Sequence, residues 1–89
     1  MKIKLELFGA SRDFSNKDYL EFSLKKKSSI KDLRTEILNF VENNFKGNDN
    51  YKKLVQSSKF CSEENNIVSD DYKITKEQNI GIIPPIGGG

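Results

Sequence analysis

Alternating apolar and polar residues mark two segments in the first third of the chain. The alternating apolar positions are Ile3, Leu5 and Leu7 in the first segment and Leu20, Phe22 and Leu24 in the second. A period of two residues is typical of a β-strand that places one face on a core. The segment between them, residues 9–17, is polar and turn-rich. We therefore predict a hairpin of two strands, the first of which ends near Phe8.

Apolar spacings of three and four residues predict a helix in the next segment. The residues on this helical face are Ile30, Leu33, Ile37, Leu38, Val41 and Phe45. The hydroxyl of Ser29 can accept a hydrogen bond from a first-turn amide, while Asp32 and Glu36 suit the positive end of the helix dipole. Gly47 is predicted to end the helix, because glycine readily adopts the left-handed conformation found after helix ends.

The second half of the chain predicts shorter elements. In order, these are a short helical turn over 51–58, a short strand at 60–61, a turn over 63–66, an edge strand at 67–68 and a final strand over 79–83. In the final strand, Ile80 and Ile82 share one face, and Gly81 and Ile83 share the other.

This order of elements predicts an α+β domain of the β-grasp type. We expect a mixed sheet of four to five strands packed on one main helix, with the first and last strands parallel in the sheet centre. The domain is placed at residues 1–83, and a flexible, extended C-terminal tail at residues 84–89. A ferredoxin-like α+β domain is the alternative that the pattern leaves open.

Charge and length exclude several classes of function. The 89 residues include 15 basic and 13 acidic side chains, which are interspersed and give a net charge of +2. Lys25–Lys27 is the only dense basic run, and we interpret it as a solvated hairpin end, so no nucleic-acid partner is expected. No apolar stretch approaches the roughly 18 residues of a membrane span, so no membrane partner is expected either.

Cysteine and histidine content narrows the chemistry further. Cys61 is the one cysteine and cannot form an internal disulfide, which favours a reducing, cytoplasmic location. With no histidine and a single cysteine, neither a metal site nor histidine-based acid–base catalysis is expected. We interpret Cys61 as a small buried apolar residue and not as a persulfide relay. A self-contained hydrolase is therefore not predicted.

The last seven residues are the most informative segment. Ile83 is followed by Pro84, Pro85, Ile86, Gly87, Gly88 and Gly89. The prolines lack amide hydrogens and have fixed φ, so they end the strand and direct the last four residues outward. Glycines lack Cβ atoms, so such a tail can pass through a channel too narrow for side chains. Glycine-rich ends are also often merely frayed, which is the alternative interpretation.

The carboxylate of Gly89 is the candidate reactive group. A carboxylate is inert until activated, and joining it to AMP creates a good leaving group. A sulfur nucleophile can then replace that group and leave a thiocarboxylate on Gly89.

Three segments carry a resemblance to a known family. They are Leu7-Phe8-Gly9-Ala10-Ser11-Arg12-Asp13, Ser29-Ile30-Lys31-Asp32-Leu33, and Asn79-Ile80-Gly81-Ile82-Ile83-Pro84-Pro85-Ile86 followed by Gly88-Gly89. Over its whole length the chain resembles the small, sulfur-carrying subunit of molybdopterin synthase, one of the ubiquitin-like β-grasp sulfur carriers. The paired prolines are the most specific element, because sulfur carriers for thiamine synthesis or tRNA thiolation usually lack them.

The chain departs from the family pattern in places. Gly87 stands where the family more often has alanine, serine or threonine, and residues 76–78 replace a glycine-containing turn. Residues 62–65 only loosely resemble the usual asparagine-bearing turn. These departures concern local loop geometry and not the reactive end.

The resemblance implies a role in molybdenum cofactor biosynthesis. A ubiquitin-activating-like adenylyltransferase would use ATP to adenylate Gly89, and a sulfurtransferase would supply the sulfur. The large subunit of molybdopterin synthase would receive the tail, residues 84–88, and pass the sulfur to cyclic pyranopterin monophosphate. The chain would not be an enzyme on its own and would bind no cofactor, since AMP and sulfur are carried only transiently on Gly89.

The resemblance also implies a partner interface at Phe8, Arg12 and Ile83. An aromatic on the outward strand face is either ordinary sheet cover or part of an interface, and a loop arginine is either solvated or paired with partner carboxylates. Three alternative functions stay open. They are a modifier that forms isopeptide bonds to lysines, a carrier for tRNA thiolation or thiamine synthesis, and a non-catalytic binding module with an inert tail.

Overall fold

The computed structural model describes residues 1–85. Its strands are β1 (Lys2–Leu7), β2 (Tyr19–Ser23), β3 (Ser28–Ser29), β4 (Lys59–Cys61), β5 (Ile67–Val68), β6 (Lys73–Ile74) and β7 (Gln78–Ile83). Its helices are α1 (Ile30–Asn44) and α2 (Asp49–Ser57), and a 3-10 turn covers Gly9–Phe14.

Five strands form one mixed sheet in the order β2-β1-β7-β4-β5. β1 and β7 are parallel, with Leu5 opposite Ile80, while β2 and β4 run antiparallel to their neighbours β1 and β7. The predicted β-grasp order and its parallel central strands are confirmed. The ferredoxin-like alternative is wrong, because β1 and β2 pair as a hairpin with only the 3-10 turn, and no α-helix, between them.

The core lies between one face of the sheet and α1. The fully buried apolar residues that fill it include Ile3, Leu5, Ile80 and Ile82 from the sheet and Ile30, Leu33, Ile37 and Val41 from the helix. Both predicted periodicities are confirmed by this set, two residues in the strands and three to four in the helix. Since α1 covers only this face, the residues between them on β1 and β7 lie on an outer face that no helix covers.

Both predicted ends of α1 are confirmed. The hydroxyl of Ser29 accepts a hydrogen bond from the Asp32 amide (3.3 Å), and the Asp32 carboxylate accepts one from the Ser29 amide (2.8 Å). This capping box satisfies two amides of the helix start. At the other end Gly47 adopts φ +67°, and its amide donates to the carbonyl of Val41 (3.3 Å).

Three elements differ from the sequence prediction. The helical turn expected over 51–58 is a nine-residue helix, α2, and its start is capped by Asn48, whose side chain accepts from the Tyr51 amide (3.1 Å). β3 and β6 form a separate two-stranded sheet that the pattern did not predict. Strands of two residues are too short to produce an alternation.

Among residues 1–85, no helix has the length and apolar composition needed to cross a bilayer.

Candidate functional site

The tail begins at the end of a central strand. β7 is flanked by β1 on one side and β4 on the other, and its last residue, Ile83, lies opposite Lys59 of β4. Pro84 and Pro85 come directly after Ile83 and cannot donate to either neighbouring strand. The two ladders therefore fix the point from which the chain leaves the domain.

Pro84 packs on the domain. Pro84 is buried and Pro85 is exposed. A Cβ placed on Gly9 would lie 3.8 Å from both Cγ and Cδ of Pro84, so the ring lies beside the 3-10 turn with room for one methyl group between them. We call Gly9, Pro84 and Pro85 the tail exit. The boundary at residue 84 stays a prediction, although Pro84 itself shares the packing of the domain.

An apolar surface lies on the outer sheet face beside the tail exit. We call its residues, Phe8, Cys61, Gly81 and Ile83, the outer patch. They line a shallow pocket of about 330 Å³ that Glu6, Ser62 and Asn65 complete. Phe8 is 44% exposed, and within residues 1–85 it is one of two large apolar residues that are exposed, the other being Ile67. The structure thus brings two of the predicted interface residues, Phe8 and Ile83, into one surface.

Gly81 allows the ring of Phe8 to lie close to the sheet. A Cβ at Gly81 would come within 2.8 Å of Phe8 Cε2 and 3.4 Å of Cδ2, so no other residue fits without moving the ring. The sequence prediction did not assign this role to Gly81. An isolated glycine inside a strand is the sign that would have indicated it, because such a residue often marks a close approach.

Arg12 lies in the 3-10 turn that packs against Pro84, and its side chain is exposed. Within residues 1–85 it forms no ion pair. Its guanidinium is therefore available to an acidic partner, as the resemblance implied, and its role in an interface stays a prediction.

The remaining candidates lie in different places. Cys61 belongs to the outer patch, where it is half-buried, and its thiol donates weakly to the Ser62 carbonyl (3.6 Å). Lys25–Lys27 is exposed and lies at the opposite end of the sheet from the tail exit, since Ser23 pairs with Lys2 at the start of β1. This basic run is remote from the outer patch.

The predicted reactive end lies outside the described residues. This concerns Ile86, Gly87, Gly88 and Gly89, so the Gly89 carboxylate and the insertion of the tail stay predictions.

Three of the solved structures that are similar to this chain are described by their names. A protein provisionally assigned as molybdopterin converting factor subunit 1, from Pyrococcus furiosus, has a TM-score of 0.70 at 24% identity, over 96% of this chain and 98% of that one. SAMP1 from Haloferax volcanii has a TM-score of 0.70 at 12% identity over 100% of both chains. A ubiquitin from Caldiarchaeum subterraneum has a TM-score of 0.63 at 16% identity, over 100% of this chain and 98% of that one.

No protein-family model and no curated protein sequence matches the chain. At the identities of the three structures, the likeness shows the fold, and the fold is the ubiquitin-like β-grasp.

Proposed function

We propose that this ubiquitin-like β-grasp domain is a sulfur carrier for molybdopterin synthesis, and that the carboxylate of Gly89 carries the sulfur. The observation that carries the proposal is the position of Pro84 and Pro85 at the end of the central strand. The central strand β7 runs directly into Pro84 and Pro85, next to the exposed outer patch. The fold likeness to the Pyrococcus furiosus protein, whose name refers to molybdopterin conversion, supports the choice of pathway.

Sulfur is loaded onto Gly89 in two steps. First, a carboxylate oxygen of Gly89 attacks the α-phosphorus of ATP, and pyrophosphate leaves as the acyl-adenylate forms. Second, a hydrosulfide equivalent from a sulfurtransferase attacks the acyl carbon, and AMP leaves as the carbon–sulfur bond forms. The product is a thiocarboxylate. Its sulfur then attacks a carbon of the pterin precursor and displaces an oxygen substituent, which forms a thioester. Water attacks the acyl carbon of that thioester, so the bond between Gly89 and sulfur breaks, sulfur stays on the pterin and the carboxylate is restored.

The geometry around the tail suits a carrier that works inside a partner. Burial of Pro84 and the pairing of Ile83 with Lys59 fix the start of the tail. Fixing that start reduces the conformational entropy lost when a partner encloses the tail. The outer patch supplies an apolar contact surface that includes Gly81 and Ile83 of β7, directly before the tail. The domain then needs no enclosed active site of its own, and the synthase large subunit would supply one.

A protein modifier is the second candidate. The support for a modifier is the similarity of the fold to that of the Caldiarchaeum subterraneum ubiquitin. In that case the activated Gly89 carboxyl would be attacked by a lysine amine, with AMP or a thiol as the leaving group, to form an isopeptide bond. Covalent conjugates in cell extracts would distinguish a modifier from a carrier, which forms only reversible complexes.

The decisive experiment is an intact-protein mass measurement. The chain is incubated with its adenylyltransferase, ATP and a sulfide source, next to a variant that lacks Gly88 and Gly89. We expect the full chain alone to gain the mass of sulfur minus oxygen, while both forms melt at the same temperature. No gain with an adenylyltransferase that is active on another carrier would reject the proposal.

A further inference from the structure

A second concave surface lies beside the tail exit, on the side of α2. It is a hollow of about 300 Å³ between the 3-10 turn and α2. Its apolar lining comes from Ala10, Leu54, Pro84 and Pro85, and Asn50 and Lys53 stand at its polar side. We call it the exit hollow. Its volume is at the lower limit of small-molecule sites, about 300–1,000 Å³, and it suits one inserted side chain.

The two walls of the exit hollow are held in place by contacts on their inner sides. The ring of Phe14, at the end of the 3-10 turn, meets that of Tyr51 in α2 edge to face, with centroids 5.2 Å apart. The far end of α2 is fixed by Arg34, which donates to the carbonyls of Val55 (2.6 Å) and Ser58 (2.9 Å). The hollow is therefore formed before any partner binds, which lowers the cost of binding.

Three basic side chains lie around the exit hollow and the tail exit. Lys53 lines the exit hollow, Lys59 lies opposite Ile83, and Arg12 is in the turn that contacts Pro84. All three side chains are exposed, and none forms an ion pair within residues 1–85. The two ion pairs in that part of the chain, Arg34–Asp70 and Lys52–Glu42, involve other residues. The surface around the tail exit thus favours an acidic partner.

We propose that the exit hollow is a docking site for proteins that enclose the tail, and that it takes an apolar partner side chain with an adjacent carboxylate on Lys53. This inference rests on the proposed function. Pro85 lines the hollow and directly precedes Ile86, so the hollow lies beside the point from which a partner would have to begin enclosing residues 86–89. The apolar lining fits the inserted side chain, and the unpaired cation fits the acid beside it.

The test is the steady-state kinetics of adenylation as a function of carrier concentration. Lys53→Glu replaces the positive charge at the edge of the exit hollow with a negative one. Ala10→Met fills the hollow from an exposed position. Each should raise KM for the carrier about tenfold, equivalent to about 1.4 kcal/mol, with kcat within about twofold. Lys26→Glu is the control, because it makes the same charge change on the exposed basic run remote from the exit.

The outcomes separate the inference from the function on which it rests. Melting temperatures close to that of the unmodified chain would show that the variants are folded. If both variants keep the unmodified KM, or if Lys26→Glu raises it equally, the docking site is rejected while the carrier function stands. If the unmodified chain is not adenylated, the proposed function fails, and the docking site fails with it.

Discussion

The ring of Phe8 lies against the bare backbone of Gly81, so close that a Cβ at Gly81 would be 2.8 Å from Phe8 Cε2. This contact spans the two parallel central strands, because Phe8 follows β1 and Gly81 belongs to β7. It keeps a large apolar ring on the sheet surface while leaving 44% of it exposed. The Phe8 ring therefore has a fixed position in the outer patch.

Substitution of Gly81 should alter the outer patch without unfolding the domain. In Gly81→Ala the new methyl group displaces the Phe8 ring, which can swing outward because it is partly exposed. We expect the free energy of unfolding to change by less than about 1 kcal/mol, since loss of the ring contact is offset by the lower unfolded-state entropy of alanine. Urea unfolding and the NMR shifts of the Phe8 ring and Ile83 methyl groups would measure both effects.

Phe8→Ala is the matched variant for this prediction. It removes the ring without crowding Gly81, so it should weaken adenylyltransferase binding without shifting the backbone resonances of β7. A loss of stability above about 3 kcal/mol in Gly81→Ala, as in a disrupted core, would contradict the steric explanation.

Arg34 is expected to be the most important charged residue for stability. Its guanidinium donates to the carbonyls of Val55, Gln56 and Ser58 and pairs with Asp70 at 2.7 Å, while its side chain is only 17% exposed. Arg34→Ala removes a donor from all three carbonyls and leaves that of Val55 with only the long bond from the Ser58 amide (3.4 Å), so we expect a loss of about 2–4 kcal/mol in urea unfolding.

Asp70 supplies the control for Arg34. The Asp70 side chain is 46% exposed, so the ion pair is screened and Asp70→Ala should cost no more than about 1 kcal/mol. Equal losses in the two variants would show that the ion pair, and not the carbonyl contacts, holds α2.

The capping box of α1 predicts a pH dependence of stability. Hydrogen bonds from the Ser29 amide and then its hydroxyl lower the pKa of Asp32 below its usual 3.8, and Lys73 and Lys31 lower it further. Because the folded-state pKa is depressed, the ionised carboxylate stabilises the fold fully above pH 3.8, and this contribution is lost as pH falls through the folded-state pKa.

Thermal unfolding of Asp32→Asn as a function of pH would test this. The variant should be less stable than the unmodified chain at pH 7, and the difference should shrink as the pH falls below 3.8. A difference that is constant with pH would assign the loss to the altered cap geometry and reject the role of ionisation.

Cys61 is expected to be dispensable for sulfur transfer. Its half-buried thiol lies in the outer patch, and the proposed chemistry takes sulfur directly onto Gly89. Cys61→Ala should therefore gain the mass of one sulfur in place of oxygen at the rate of the unmodified chain. A variant that is adenylated normally but gains no sulfur would assign Cys61 a relay role.

The main elements were predictable because their patterns arise from burial on one face. Ile3, Leu5 and Leu7 alternate since they pack beneath α1, and the same alternation identified the outward position of Phe8. The helix cap was predictable as well, since Ser29 and Asp32 act within four consecutive residues. Features that depend on burial of one face, or on contacts within a few consecutive residues, can therefore be predicted from the sequence pattern.

Features that depend on distant contacts were not predictable. The full length of α2 relies on Arg34, which reaches its last carbonyls from another helix. The exit hollow brings together Ala10, Leu54 and Pro84, which are far apart in the sequence. These arrangements arise from tertiary packing and leave no periodic pattern in their own segments.

The attachment of the tail to β7 also has a mechanical consequence. A partner that draws on the tail pulls along a strand that is hydrogen-bonded on both sides, to β1 and to β4. The bonds in both ladders lie across the direction of the pull and bear the load together as shear. A partner that encloses the tail as proposed would therefore load both ladders of β7 together, and we expect the domain to keep its fold under that load.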